Sequence, residues 1–87
     1  MTREEILAAA KQCVCGGREA DYGTPEVSFD LIGQYWTVYT GHTITAKDVA
    51  MMMALLKIAR IQGNRATDDC FVDLAGYAAC GGELEGT

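Results

Sequence analysis

The chain is short of the groups that most enzymes use. It has one histidine, His42, beside Gly41 in a loop, with no cysteine or serine motif near it. A Cys-His or Ser-His nucleophile is therefore not expected, and His42 reads as a solvated loop residue. Neither a Walker A loop nor a GxGxxG turn occurs. The four cysteines, at 13, 15, 70 and 80, lack CxxC spacing. Cys70 and Cys80 are ten residues apart on a predicted helix, roughly 15 Å by helical rise. They read as buried reduced thiols, and no metal or other cofactor is expected. Basic residues are few: 7 Lys and Arg stand against 12 Asp and Glu, a net charge of −5. Such a chain should not hold duplex DNA or an anionic membrane through its overall field. A phosphate site must come from a local cluster of cations. The apolar run from Val49 is interrupted by Lys57, too early for a membrane span. The start, MTREEILAAA, is charged where an apolar leader would lie. A soluble, cytosolic protein is expected.

Apolar residues make up 49% of the 87 positions. One domain, spanning 1–87, is expected at this length, with a thin core. Part of the apolar surface is then expected to be buried between subunits of a homo-oligomer. No strand periodicity appears, and the fold class expected is all-α, with four helices. The first runs from about Arg3 to Cys15, with Thr2 and Glu5 at capping-box spacing. The second begins with Thr24 as N-cap and Pro25 at its first position, and stops at Gly41. It carries an aromatic stripe of Phe29, Ile32, Trp36 and Tyr39, read mainly as core packing. The third starts at Thr45, with Asp48 completing a second capping box, and runs to about Ile61. Its Val49–Leu56 segment is apolar nearly all round, as in a central helix or a subunit interface. The fourth runs from about Asp68 to Cys80, with Thr67 as N-cap, and ends at Gly81-Gly82. Order is expected over about 2–82, with a flexible tail at 83–87.

The chemistry concentrates in the last two helices. Lys57 and Arg60 are three apart and share a face. Asp69, Asp73 and Tyr77 are spaced by four along the fourth helix. A short turn makes the two helices antiparallel, which brings Arg60 level with about Asp69 and Lys57 with about Asp73. Two interhelical salt bridges would satisfy this spacing. So would two cations held by aspartates and aimed at a phosphate, with arginine as a planar fork and lysine as a point charge. Arg18, Asp21 and Tyr22 lie in a glycine-flanked loop that is able to fold over a ligand. There Arg18 would add a phosphate contact and Tyr22 a stacking face. Trp36 offers a further flat face to a base.

The segments ILAAAKQCVCGGREADYGTPEVSF, DVAMMMALLKIARI and DDCFVDLAGYAACGGE, with Trp36 between the first two, resemble a family of small uncharacterised bacteriophage and prophage proteins. The resemblance covers about Ile6 to Glu83. In layout the chain is also similar to the all-α nucleotide pyrophosphohydrolases of the MazG type, which bind magnesium through an ExxE pair and a later ExxD pair. Here Lys57-Ile58-Ala59-Arg60 stands where the first acidic pair is wanted, and Asp69 and Asp73 are four apart instead of three. Two cations among two aspartates leave little negative charge for Mg²⁺. The phage resemblance implies a different role, a non-enzymatic sponge for a nucleotide immune signal of the cyclic oligonucleotide or cyclic ADP-ribose type. The ligand-binding set is then Arg18, Asp21, Tyr22, Trp36, Lys57, Arg60, Asp69, Asp73 and Tyr77, with self-association through Val49–Leu56. The alternatives are a MazG-like hydrolase with an altered metal site and a structural or adaptor protein whose charges are only salt bridges.

Overall fold

The structure is a computed structural model and describes residues 1–16, 23–63 and 67–85. It holds four helices: α1 Arg3–Cys15, α2 Pro25–Thr40, α3 Ala46–Gln62 and α4 Asp68–Glu83. Among the described residues there is no strand. The helix starts follow from local chemistry. Thr2 and Glu5 exchange side-chain and backbone hydrogen bonds at 2.9 and 3.1 Å. Thr45 and Asp48 do the same at 3.0 and 3.1 Å. Each box satisfies two backbone N–H groups that the first turn would leave unpaired. Thr24 caps α2 through its hydroxyl, which accepts from the Val27 N–H, and Pro25 follows it. Gly41 ends α2 in the left-handed region at φ 76°.

The helices pack in the spatial order α2, α3, α4, α1, with α3 and α4 at the centre. Antiparallel α4 lies against it, with Lys57 opposite Asp73 and Lys47 opposite Glu85. Helix α1 runs parallel to α4: the Met1 ammonium is 3.7 Å from Asp68, and Val14 lies over Gly76. The middle of α2 crosses the start of α3. A Cβ on Gly33 would stand 2.6 Å from the Ile44 carbonyl oxygen, so only glycine admits this approach. Thr37 ties the same crossing by accepting from the Ile44 N–H at 2.8 Å.

The core is made largely of small residues. Ala10, Ala46, Ala50 and Ala54 are buried with Val49, Cys70, Val72, Cys80 and Leu84. The Val49–Leu56 segment divides between two surroundings. Val49, Ala50 and Ala54 are core, while Met52, Leu55 and Leu56 are exposed.

The end of the chain departs from the sequence expectation. Helix α4 continues through Gly81-Gly82 to Glu83, and Leu84 is 1% exposed. The Lys47 ammonium meets the Glu85 carboxylate at 2.7 Å. Gly81 faces Met51 and Ala50 on α3, where a Cβ would fall 2.4 Å from the Met51 methyl. The glycine permits close helix packing here, and packing carries the helix one turn further. Apolar Leu84 then covers the core instead of leaving the fold. Residues 86 and 87 lie outside the described residues.

Candidate functional site

A cavity of about 200 Å³ lies where the end of α1, the first turns of α2 and the middle of α4 meet. Cys13 and Val14 form one wall, Pro25, Ser28 and Phe29 a second, and Val72, Asp73, Gly76, Tyr77 and Cys80 a third. Two features of α4 open it. Gly76 has no side chain and sits beneath Val14, whose methyl would be 3.1 Å from a Cβ there. Asp73 and Tyr77 are four apart and point to the same side. Phe29 and Tyr77 bring their ring centroids to 6.2 Å at an interplanar angle of 37°, within the range of attractive aromatic pairs. Among the described residues the wall is therefore mostly apolar, with an aromatic corner and one carboxylate.

That carboxylate is held from behind. The Lys57 ammonium donates to Asp73 at 3.0 Å, with the lysine side chain 17% exposed and the aspartate 36%. A partly covered ion pair is screened less than a surface one, though its net worth remains modest. Of the two cation–aspartate pairs that the sequence spacing allows, this one forms.

The other does not. Arg60 lies against the Cys70 thiol, and Asp69 is exposed in the first turn of α4. The register explains the difference. Lys57 opposite Asp73, with Met51 over Gly81, puts Arg60 level with residue 70. One residue along a helix is a rotation of about 100°, so Asp69 turns out of the interface while Cys70 turns in. Cys70 also takes an unexpected capping role. Thr67 has the extended backbone of an N-cap but makes no side-chain cap bond. Its hydroxyl donates to the Cys70 sulfur at 3.7 Å instead. The sulfur also takes the Thr67 backbone N–H, as the carboxylates of Glu5 and Asp48 do at the other boxes. These two Thr67 bonds, the backbone one first, and then the Arg60 guanidinium pull the Cys70 thiol below its ordinary pKa against the opposing effect of burial.

Lys57, Asp73 and Tyr77 are thus brought together. Trp36 is half-buried on α2, two turns beyond Phe29, and does not line the cavity. Arg18, Asp21 and Tyr22 lie outside the described residues. Sequence reasoning passed over Phe29, Ser28 and Gly76. Phe29 belongs to the same aromatic stripe as Trp36, but spacing along one helix does not tell which member meets a neighbour. Among the described residues no group of three or more His, Cys, Asp or Glu side chains converges on a metal position. No described helix is long and apolar enough to cross a membrane.

The family model for a domain of unknown function, DUF6378, matches residues 5–85. The chain belongs to the DUF6378 family. This DUF6378 chain is 40% identical over 77 residues to the Gene 55 protein of Mycobacterium phage D29, covering 88% of the chain and 51% of that relative. It is 43% identical over 74 residues to the Gene 55 protein of Mycobacterium phage L5, covering 84% of the chain and 47% of that relative. The chain therefore spans about half the length of the curated relatives it matches. These relatives agree with the expected kinship to bacteriophage proteins. No solved structure matches the chain.

Proposed function

We propose that this DUF6378 chain binds a phosphorylated nucleotide without turning it over, and that it sequesters a nucleotide immune signal in the cytoplasm of an infected host. The observation that carries the reading is the cavity. It joins the Phe29–Tyr77 ring corner to an Asp73 carboxylate whose charge is balanced by Lys57. A carboxylate in an apolar wall accepts hydrogen bonds from the exocyclic amine and ring N–H groups of a base, while the rings pack on its face. At about 200 Å³ the space is below the roughly 300–1,000 Å³ of sites that enclose a whole drug-sized ligand. One base is the part it accommodates. The phosphates then fall outside it, and on sequence grounds Lys57, Arg60 and Arg18 are the cations assigned to them. The relatives are proteins of mycobacteriophages, which fits the phage origin that this reading assumes. Self-association belongs to the same reading. Of the Val49–Leu56 segment, only Met52, Leu55 and Leu56 are strongly exposed for it.

Calorimetric titration with cyclic dinucleotides and cyclic ADP-ribose variants tests the proposal. Binding with a dissociation constant well below about 100 μM, equivalent to about −5.5 kcal/mol, is expected for at least one of them, and Tyr77→Ala should weaken it at least about tenfold. Weaker binding to all of them sinks the reading. Magnesium-dependent pyrophosphate release from a nucleoside triphosphate, lost in Asp73→Ala, would replace it with a MazG-like hydrolase.

A further inference from the structure

Helix α2 has a side that none of the other helices covers. Val27, Leu31, Tyr35, Val38 and Tyr39 lie on it at helical spacing. Their exposure runs from 52% at Leu31 through 70% at Tyr35 to 92% at Tyr39. From Leu31 to Thr40 the helix carries no charged residue. The chain as a whole carries −5, so most of its surface would set like charges against one another if two copies met. An uncharged apolar side escapes that repulsion. The patch is also continuous, since Val27, Leu31, Tyr35, Val38 and Tyr39 are each more than half exposed. Apolar patches of more than a few hundred Å² are unusual on a monomer.

We propose that the Val27–Tyr39 side of α2 is a two-fold interface with a second copy of this chain. A two-fold contact presents the same patch from both subunits. Apolar Leu31 and Val38 then meet their own counterparts, and Tyr35 and Tyr39 flank the seam with hydroxyls left toward water. This moves self-association away from the Val49–Leu56 segment, whose remaining exposed residues are fewer and adjoin the Lys57 and Arg60 charges. The inference needs no nucleotide; it replaces the Val49–Leu56 contact of the ligand proposal and leaves that proposal's cavity unchanged.

Sedimentation velocity of the full chain across a concentration series decides it. A dimer is expected for the unmodified chain. Val38→Glu should raise the dimer dissociation constant at least about tenfold, while Leu55→Glu on α3 should leave it within about threefold. Should Val38→Glu lose its helical circular dichroism, Tyr39→Glu at the most exposed position takes its place. Three results overturn the proposal: a monomer at about 100 μM, an unchanged constant in the α2 variant, or dissociation by Leu55→Glu instead.

Discussion

Helices α2 and α4 are both 16 residues long, and they spend their apolar residues in opposite ways. Helix α4 buries Cys70, Val72, Gly76, Cys80 and Gly81, and hands Leu84 to the core just beyond its end. Helix α2 fully buries only Gly33. The cause is what each meets on α3. The Gly81 turn of α4 rests on the flexible Met51 side chain and the small Ala50, so the two helices stay close along their length. The Gly33 turn of α2 rests on the backbone just before α3, so α2 crosses at one point and its outer side stays bare. Apolar content therefore says how much a helix can bury, and the crossing point decides how much it does.

The largest effect that would test this contrast is at Leu84. Leu84→Ala should cost about 3 kcal/mol in denaturant unfolding, whereas Leu31→Ala on the bare side of α2 should stay within about 0.5 kcal/mol under conditions where the chain is monomeric. Equal costs would remove the distinction between the two helices. Next comes the pair of glycine contacts. Gly33→Ala should destabilise by about 1–3 kcal/mol, because a carbonyl oxygen cannot swing aside. Gly81→Ala should change stability by less than about 1 kcal/mol, since Met51 can turn away and alanine favours the helix. A reversed order in thermal melts would refute the account of the crossing. Thr45→Ala should cost about 1 kcal/mol, at the capping box that fixes where α3 starts beside α2. Its partner carboxylate, Asp48, is held below the usual aspartate range by the Thr45 backbone N–H and hydroxyl, and Glu5 is lowered in the same way by Thr2. A lowered folded-state pKa means stability that is present at neutral pH and disappears as pH falls through that value. Unfolding free energy should therefore decline on acidification below about pH 4, and less steeply in Thr45→Ala. The smallest effect belongs to the ion pair. Lys57→Met with Asp73→Leu should keep stability within about 1 kcal/mol, while nucleotide affinity falls.

Much of the local structure was legible because it is written within four residues. The Thr2–Glu5 and Thr45–Asp48 boxes, the Thr24-Pro25 start and the Gly41 stop act through neighbours in sequence, and each stands where it was expected. The candidate site was legible in part. Counting outward from the turn pairs Lys57 with Asp73 correctly. The same count is one residue out at Arg60, because it assumes a register that only interhelical packing sets. Phe29 escaped notice as a cavity residue because the aromatic stripe on α2 has several members of equal spacing, and which one reaches Tyr77 depends on the angle at which α2 crosses.

The sequence by itself determined an all-α chain of four helices, their starts, an antiparallel α3–α4 hairpin and one of its ion pairs. All of these depend on short-range hydrogen bonds, helical periodicity and the length of a turn. Only the tertiary structure decided that Gly81-Gly82 would be a packing surface and not an end, that Cys70 would meet Arg60, and that the side of α2 would be left uncovered. Those outcomes turn on how closely two backbones approach, a distance that neither periodicity nor composition contains.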